Sequence, residues 1–176
     1  LRGETDKFVW TLYSLYAYGQ SRETYATMEW ANIRTGIKET ETWDDCRQPH
    51  LHSNSRCLAM LRIALLLEEE TKLHLMMGTP RGWLEDGRRI EIRHAPSSFG
   101  EVSYVAESKL AAGEIDVRLN PPGRKPAQVL LHLRPPSKYG RIRSVTVNDQ
   151  PWTQFTADMV DLGAPAKPTH VVCRFQ

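Results

Sequence analysis

The stretch Leu65-Leu66-Leu67-Glu68-Glu69-Glu70-Thr71-Lys72-Leu73-His74-Leu75-Met76-Met77-Gly78-Thr79-Pro80-Arg81-Gly82-Trp83-Leu84-Glu85-Asp86-Gly87 decides how the chain is organised. An apolar run ends in three acidic residues, a short apolar segment follows, and Gly78-Thr79-Pro80 then blocks any continuing helix. Proline has no N–H to donate and keeps the residue before it out of the helical region. Trp83 and Leu84 come next as a large apolar anchor, whose burial stabilises by several kcal/mol. Trp83 is therefore expected to pack the second half of the chain against the first.

Upstream of this seam the apolar residues recur at spacings of three and four, the rhythm of an amphipathic helix. Phe8, Val9, Leu12, Leu15 and Tyr16 form one stripe over Thr5–Tyr18, with Gly19 as a stop signal. Ser21 can cap a second, shorter helix carrying Tyr25, Met28 and Trp30. The strongest helix starts at Ser53 or Ser55, turns Cys57, Leu58, Leu61, Ala64, Leu65 and Leu67 inward, and closes at Glu68–Glu70. Acidic residues oppose the dipole at a helix C-terminus, so packing has to hold that end. The aromatic residues Trp10, Trp30, Tyr13, Tyr16, Tyr18 and Tyr25 crowd these helices and read as core.

Downstream of Lys72 the period becomes two. Strands are expected at Lys72–Met76, Arg88–Arg93, Val102–Lys109, Glu114–Leu119, Ala127–Arg134, Ile142–Val147 and Thr169–Phe175. Turn chemistry separates them: Asp86-Gly87, Ala112-Gly113, Asn120-Pro121-Pro122-Gly123, Pro135-Pro136 and Asn148-Asp149. Short strands with no helical pattern between them indicate an antiparallel two-sheet sandwich rather than βαβ units. The fold class is thus α+β, with a helical segment over 1–71 followed by a β-sandwich over 72–176.

Composition narrows the function. With 23 basic and 21 acidic residues interleaved, and a net charge of +2, the chain lacks the clustered basic surface that nucleic acid requires. The longest apolar stretch, Leu58 to Leu67, is interrupted by Arg62 and is too short to span a bilayer. Cys46, Cys57 and Cys173 are too few and too unevenly spaced for a disulfide scaffold, and no Cys/His spacing suggests zinc. Gly-rich phosphate loops and the GxSxG elbow are absent, and no cofactor is expected. The chain opens Leu1-Arg2-Gly3-Glu4 without an initiator Met or a signal segment, as a piece of a longer polypeptide would. The compartment stays open, a secreted or periplasmic parent being compatible.

The most site-like segment lies in the polar stretch Gly36–His52, which has little periodicity. Ordered loops of this length tend to be functional. Glycoside hydrolysis needs two carboxyl groups about 5–5.5 Å or 6.5–9.5 Å apart according to stereochemical outcome. Asp44 and Asp45, with Glu41 nearby, are the carboxylate candidates; Trp43 offers a face for a sugar ring, and Gln48, His50 and His52 offer hydrogen bonds. The same residues also read as a solvated Asp-Asp loop, a core tryptophan and two imidazoles capping backbone. His50-x-His52 as metal ligands on one side of an extended segment lacks a third histidine nearby. His74 reads as a hydrogen-bonded core residue, Trp152 as a plug at a strand edge, and His94, His132 and His170 as histidines without carboxylate neighbours.

The junction Leu65–Glu70, Leu73-His74-Leu75, Gly78-Thr79-Pro80-Arg81, Trp83-Leu84 and Gly87 resembles that of six-hairpin glycosidases. Ile90-Glu91-Ile92, Ala95-Pro96, Phe99–Ser103 and Val145–Asn148 resemble the sandwich of such enzymes. The resemblance covers roughly Trp43 to Asn148 and rests on a junction and a strand order, not on a catalytic signature. It implies that residues 1–71 are the last hairpins of an α/α toroid and that the sandwich buttresses it. The whole would be a fragment of a carbohydrate-active, glycoside hydrolase-like enzyme with an oligo- or polysaccharide partner. Self-association through exposed helix faces would follow from an incomplete toroid. The alternative is a non-catalytic carbohydrate-binding or structural sandwich, with Trp152 or Tyr139 as the binding aromatics.

Overall fold

A computed structural model describes residues 4–20, 26–27 and 50–176 of the chain. It divides into two compact units, Leu1–Ala64 and Leu65–Gln176. In the first, helix α1 spans Thr5–Tyr18 and ends where the Gly19 N–H donates to the Leu15 carbonyl at 2.9 Å. Leu12 is buried as its place on the stripe requires. The aromatic residues depart from the core reading: Trp10 is 78% exposed, Tyr13 also stands outward, and Tyr16, 37% exposed, donates its hydroxyl to the Cys57 carbonyl at 3.2 Å. A helix with apolar residues on more than one face cannot bury them all, and here Leu12 takes the inner position.

Helix α2 spans Leu51–Leu65 with Cys57 and Ala64 buried. Leu58, expected inward, is 68% exposed. The helix also stops short of the expected Glu68–Glu70. Residues Leu66–Glu69 instead form strand β1, which pairs antiparallel with β2 (Lys72–Leu75), setting Leu66 against Leu75 and Glu68 against Leu73. The acidic run therefore never faces a helix terminus. Two turn residues, Glu70 and Thr71, join the strands, with Glu70 at φ 51°. A short apolar run can end a buried helix or begin a strand with equal periodicity, and Glu-Thr lacks the glycine or asparagine that marks such a turn.

All seven expected strands are present, and among the described residues β1 and two further short strands join them. The six-stranded sheet has the order β3 (Arg89–Ala95), β4 (Val102–Lys109), β5 (Glu114–Asn120), β10 (Thr169–Phe175), β7 (Ile142–Val147), β8 (Gln150–Trp152), every neighbour antiparallel. The four-stranded sheet runs β1, β2, β6 (Gln128–His132), β9 (Met159–Asp161). Its β2–β6 pair is parallel, with Leu73 beside Val129 and Leu75 beside Leu131. The two sheets form an antiparallel-rich sandwich, and their inner faces share one core. Leu66, Leu73, Leu75, Val129 and Leu131 come from one side; Tyr104, Ala106, Ile115, Val117, Val171 and Cys173 come from the other. Alternation along β4 and β10 gives the inward set directly, because side chains two apart share a face. Asn148 and Asp149, both at positive φ, make the tight turn between β7 and β8.

The seam itself is tied to the sandwich. Thr79 is buried and donates its hydroxyl to the Met76 carbonyl at 2.8 Å. Arg81 Nη1 donates to the Pro135 carbonyl at 3.0 Å, Leu84 is fully buried, and half-buried Trp83 packs on the sandwich core. Among the described residues no helix is long and apolar enough to cross a membrane.

The Leu65 carbonyl, the last of helix α2, accepts from the Met76 N–H at 2.9 Å and from the Tyr104 hydroxyl at 3.0 Å. Burial pushes the Tyr104 phenol well up, so it remains a donor. Tyr104→Phe keeps the ring and removes this donor. The expected cost is about 1–2 kcal/mol, read as a lower midpoint in urea with an unchanged m-value.

Candidate functional site

Trp43, Asp44, Asp45 and Gln48 lie outside the described residues, as do Glu41 and the second, Ser21-capped helix. His50 and His52 are described: His50 immediately precedes α2 and His52 is its second residue. The His50 N–H donates to the Thr27 carbonyl at 3.0 Å, and its imidazole Nδ1 lies 2.8 Å from the Ser53 hydroxyl. His52 Nε2 accepts from Arg56 Nε at 3.3 Å, one helical turn on. The two rings are 6.1 Å apart and inclined by 69°. His50-x-His52 is thus not an extended pair, because the helix begins at Leu51, between the two. Thr27 secures this corner. It is fully buried, with its hydroxyl 2.7 Å from the Asn54 side-chain oxygen and 3.0 Å from the His50 carbonyl.

The described residues bring together a different set of ionisable groups, on the outer face of the four-stranded sheet. His74 of β2 is 6% exposed; its Nε2 lies 3.2 Å from Glu69 Oε2 and its Nδ1 lies 3.1 Å from His132 Nε2. The imidazole centroids are 5.3 Å apart with planes within 19°. With the nitrogens so close, that centroid distance requires the rings to meet edge to edge in nearly one plane, not face to face. Burial pushes His132 down to about 4, with His74 and Arg134 adding to the effect and Asp158 opposing it. His74 is, as expected, a hydrogen-bonded buried histidine, but its partners come from β1 and β6 and were not predictable from its neighbours in sequence.

Carboxylates also reach two histidines for which the sequence suggests none. His170 Nε2 lies 2.9 Å from Asp116 Oδ2, across the β5–β10 pairing that sets Arg118 opposite His170. Arg118 and Lys109 approach the same carboxylate, at 3.6 and 4.0 Å. His94, at positive φ where the β3–β4 register shifts, places Nδ1 3.1 Å from Glu101 Oε2. Knowing the strand pairing would have revealed both contacts. On β3, first Arg93 and then Arg89 hold the Glu91 carboxyl below the ordinary carboxylate range. These ion pairs run both along and across the strands of an outer sheet face, the ordinary means of keeping such a face solvated.

The thiols and aromatic groups have structural partners. Burial pushes the Cys173 thiol up to about 12, and it also raises Cys57; both are free. Trp152 Nε1 donates to the Asp161 carbonyl at 2.9 Å while its ring packs on the core, a plug at the β8 edge. Tyr139 packs likewise, donates to Glu85 at 3.3 Å, and has the Lys138 ammonium 4.8 Å from its ring centroid. Among the described residues no group of three or more His, Cys, Asp or Glu is placed to hold a metal ion.

The His50 corner yields a direct test. Thr27→Val keeps the shape at this buried position and takes the hydroxyl away from the half-buried Asn54 side-chain oxygen and from the His50 carbonyl. The expected loss is about 1–3 kcal/mol, seen as an earlier fall of the helical signal at 222 nm on heating.

No protein-family model matches the chain, and no curated protein matches it. Among solved structures it is similar to a GH127 β-L-arabinofuranosidase from Geobacillus stearothermophilus T6, at 13% identity and a TM-score of 0.46. The similarity covers 98% of this chain and 28% of that enzyme, so the chain spans little more than a quarter of its neighbour's length.

Proposed function

We propose that this chain works as part of a glycoside hydrolase-like, carbohydrate-active enzyme. In this reading the sandwich is structural support, and the segment around Trp43–His52 contributes to a sugar cleft. The observation that carries it is the junction: the run from Leu65 to Gly87 resembles the weld of six-hairpin glycosidases, and a helix gives way to a sandwich within that run. Trp43 would stack on a sugar ring, Gln48, His50 and His52 would bind hydroxyls, and Asp44 or Asp45 would supply a carboxylate. The helical segment would be the end of an α/α toroid whose other hairpins complete the cavity. The sandwich suits a supporting role because Trp83, Tyr139 and Trp152 pack on its own core.

Two measurements test this. The 176-residue chain is expected to show no turnover of aryl glycosides or oligosaccharides, since the cavity would be incomplete; robust hydrolysis by it alone would overturn the proposal. Titrating it with oligosaccharides is expected to change tryptophan fluorescence, with the affinity falling about tenfold or more in Trp43→Ala for the lost stacking face. Binding that survives Trp43→Ala and disappears in Trp152→Phe would instead assign the chain as a carbohydrate-binding sandwich.

A further inference from the structure

The parallel seam between β2 and β6 is the only parallel pairing among the described strands, and one imidazole from each of these strands meets the other across it. Parallel pairs are slightly less stable per residue than antiparallel ones, so a side-chain contact matters more here. Consider where the hydrogens must sit. Glu69 accepts from His74 Nε2–H, which leaves Nδ1 of a neutral His74 as an acceptor for His132 Nε2–H. If His74 takes up one proton, the same contact persists with its direction reversed: His74 Nδ1–H donates, and His132 moves its own hydrogen to Nδ1. A second proton has no such arrangement. It would place two N–H groups, on two cations, 3.1 Å apart with no lone pair between them.

We propose that the His74–His132 contact is a one-proton latch that holds the β2–β6 seam of the four-stranded sheet closed at neutral pH and releases it in acid, when the pair is forced to take a second proton. The charged groups around it set its balance. On β1, the Glu69 carboxylate lies 3.2 Å from His74 Nε2, on the side away from His132, and its side chain is 64% exposed, so it cannot neutralise a second charge on His132. Arg134, just beyond β6, opposes charge on His132, whereas Asp158, just before β9, favours it. Asp161 of β9 lies on the same outer face but already accepts from Gln128 Nε2 and the Gly163 N–H, both at 2.8 Å. Lys72 at the head of β2 adds further positive charge to this face.

The sign follows from linkage. His132 in the folded chain titrates near 4, below its ordinary value of 6.5, so the unfolded chain binds more protons between these limits. Stability contributed by this group is fully present above pH 6.5 and is lost as the pH falls towards 4. Urea unfolding of the full chain between pH 7.5 and pH 4.5 is the test, comparing the wild type with His132→Gln, which keeps an N–H to offer His74 but cannot titrate. The unfolding constant of the wild type is expected to rise more steeply in acid than that of His132→Gln, the difference approaching about tenfold per pH unit. Identical pH slopes would overturn the latch. Imidazole ¹⁵N shifts of the wild-type protein provide a readout that needs no variant. The pair should carry at most one extra proton down to pH 5, with amide exchange in β2 and β6 accelerating below that; both rings cationic at pH 6 with the sheet protected would refute it.

Discussion

The structure depends on the double use of the Leu65 carbonyl. The last carbonyls of a helix have no intrahelical partner and must be satisfied from outside. At Leu65 the two acceptor positions are taken by the Met76 N–H, at the end of the first hairpin, and by the Tyr104 hydroxyl, from the opposite sheet. One atom thereby marks where the helix stops, fixes the alignment of β1 on β2, and joins the two layers of the sandwich. The residues around it are fully buried: Leu66, Leu75 and Met76 at the hairpin, Tyr104 on β4. A tyrosine hydroxyl buried among apolar side chains would be costly without an acceptor, and a terminal carbonyl would be costly without a donor. Each resolves the other's difficulty.

The two sheet faces treat charge in opposite ways. On the outer face of the six-stranded sheet, Asp116 is approached by His170, Arg118 and Lys109, and Glu91 by Arg89 and Arg93. Opposite charges alternate along and across these strands, so that face can stay in water. On the four-stranded sheet the ionisable groups are fewer and more enclosed. His74 is almost wholly buried and has one exposed carboxylate and one neutral imidazole for partners. At His132 burial opposes the charged form, and the neighbouring imidazole opposes it again. The outcome is a pair whose hydrogens are constrained by geometry rather than by solvent.

A supporting role in a carbohydrate-active enzyme agrees with how the aromatic residues of the sandwich are employed. Sugar-stacking requires a ring face open to solvent, whereas Trp152 and Tyr139 pack on the core and direct their polar atoms to Asp161 and Glu85. The proposed cleft residues instead precede the junction in sequence, and of them His50 and His52 flank Leu51, where α2 begins. Of the candidate site, the sequence reveals residue types suited to sugar chemistry; it does not reveal their separation, because carboxylate spacing in an aperiodic loop is set by contacts remote in sequence.

The sequence alone determined the order of the two architectures, the α+β class, the seven main strands and most of the inward-facing positions. Each of these follows from a local rhythm: three to four residues for one face of a helix, two for one face of a strand. The tertiary structure decided where one rhythm yields to the other. Leu66–Glu69 fits either element locally and becomes a strand because Leu73 and Leu75 offer it a partner and Tyr104 takes the helix's last carbonyl. It also decided the parallel β2–β6 pairing, and with it the meeting of His74 and His132 from positions far apart along the chain. Trp10 and Tyr13 show the same limit from the other side. Hydrophobic character is a property of the residue, but burial is a property of what packs against it, and that partner is chosen only when the whole chain has folded.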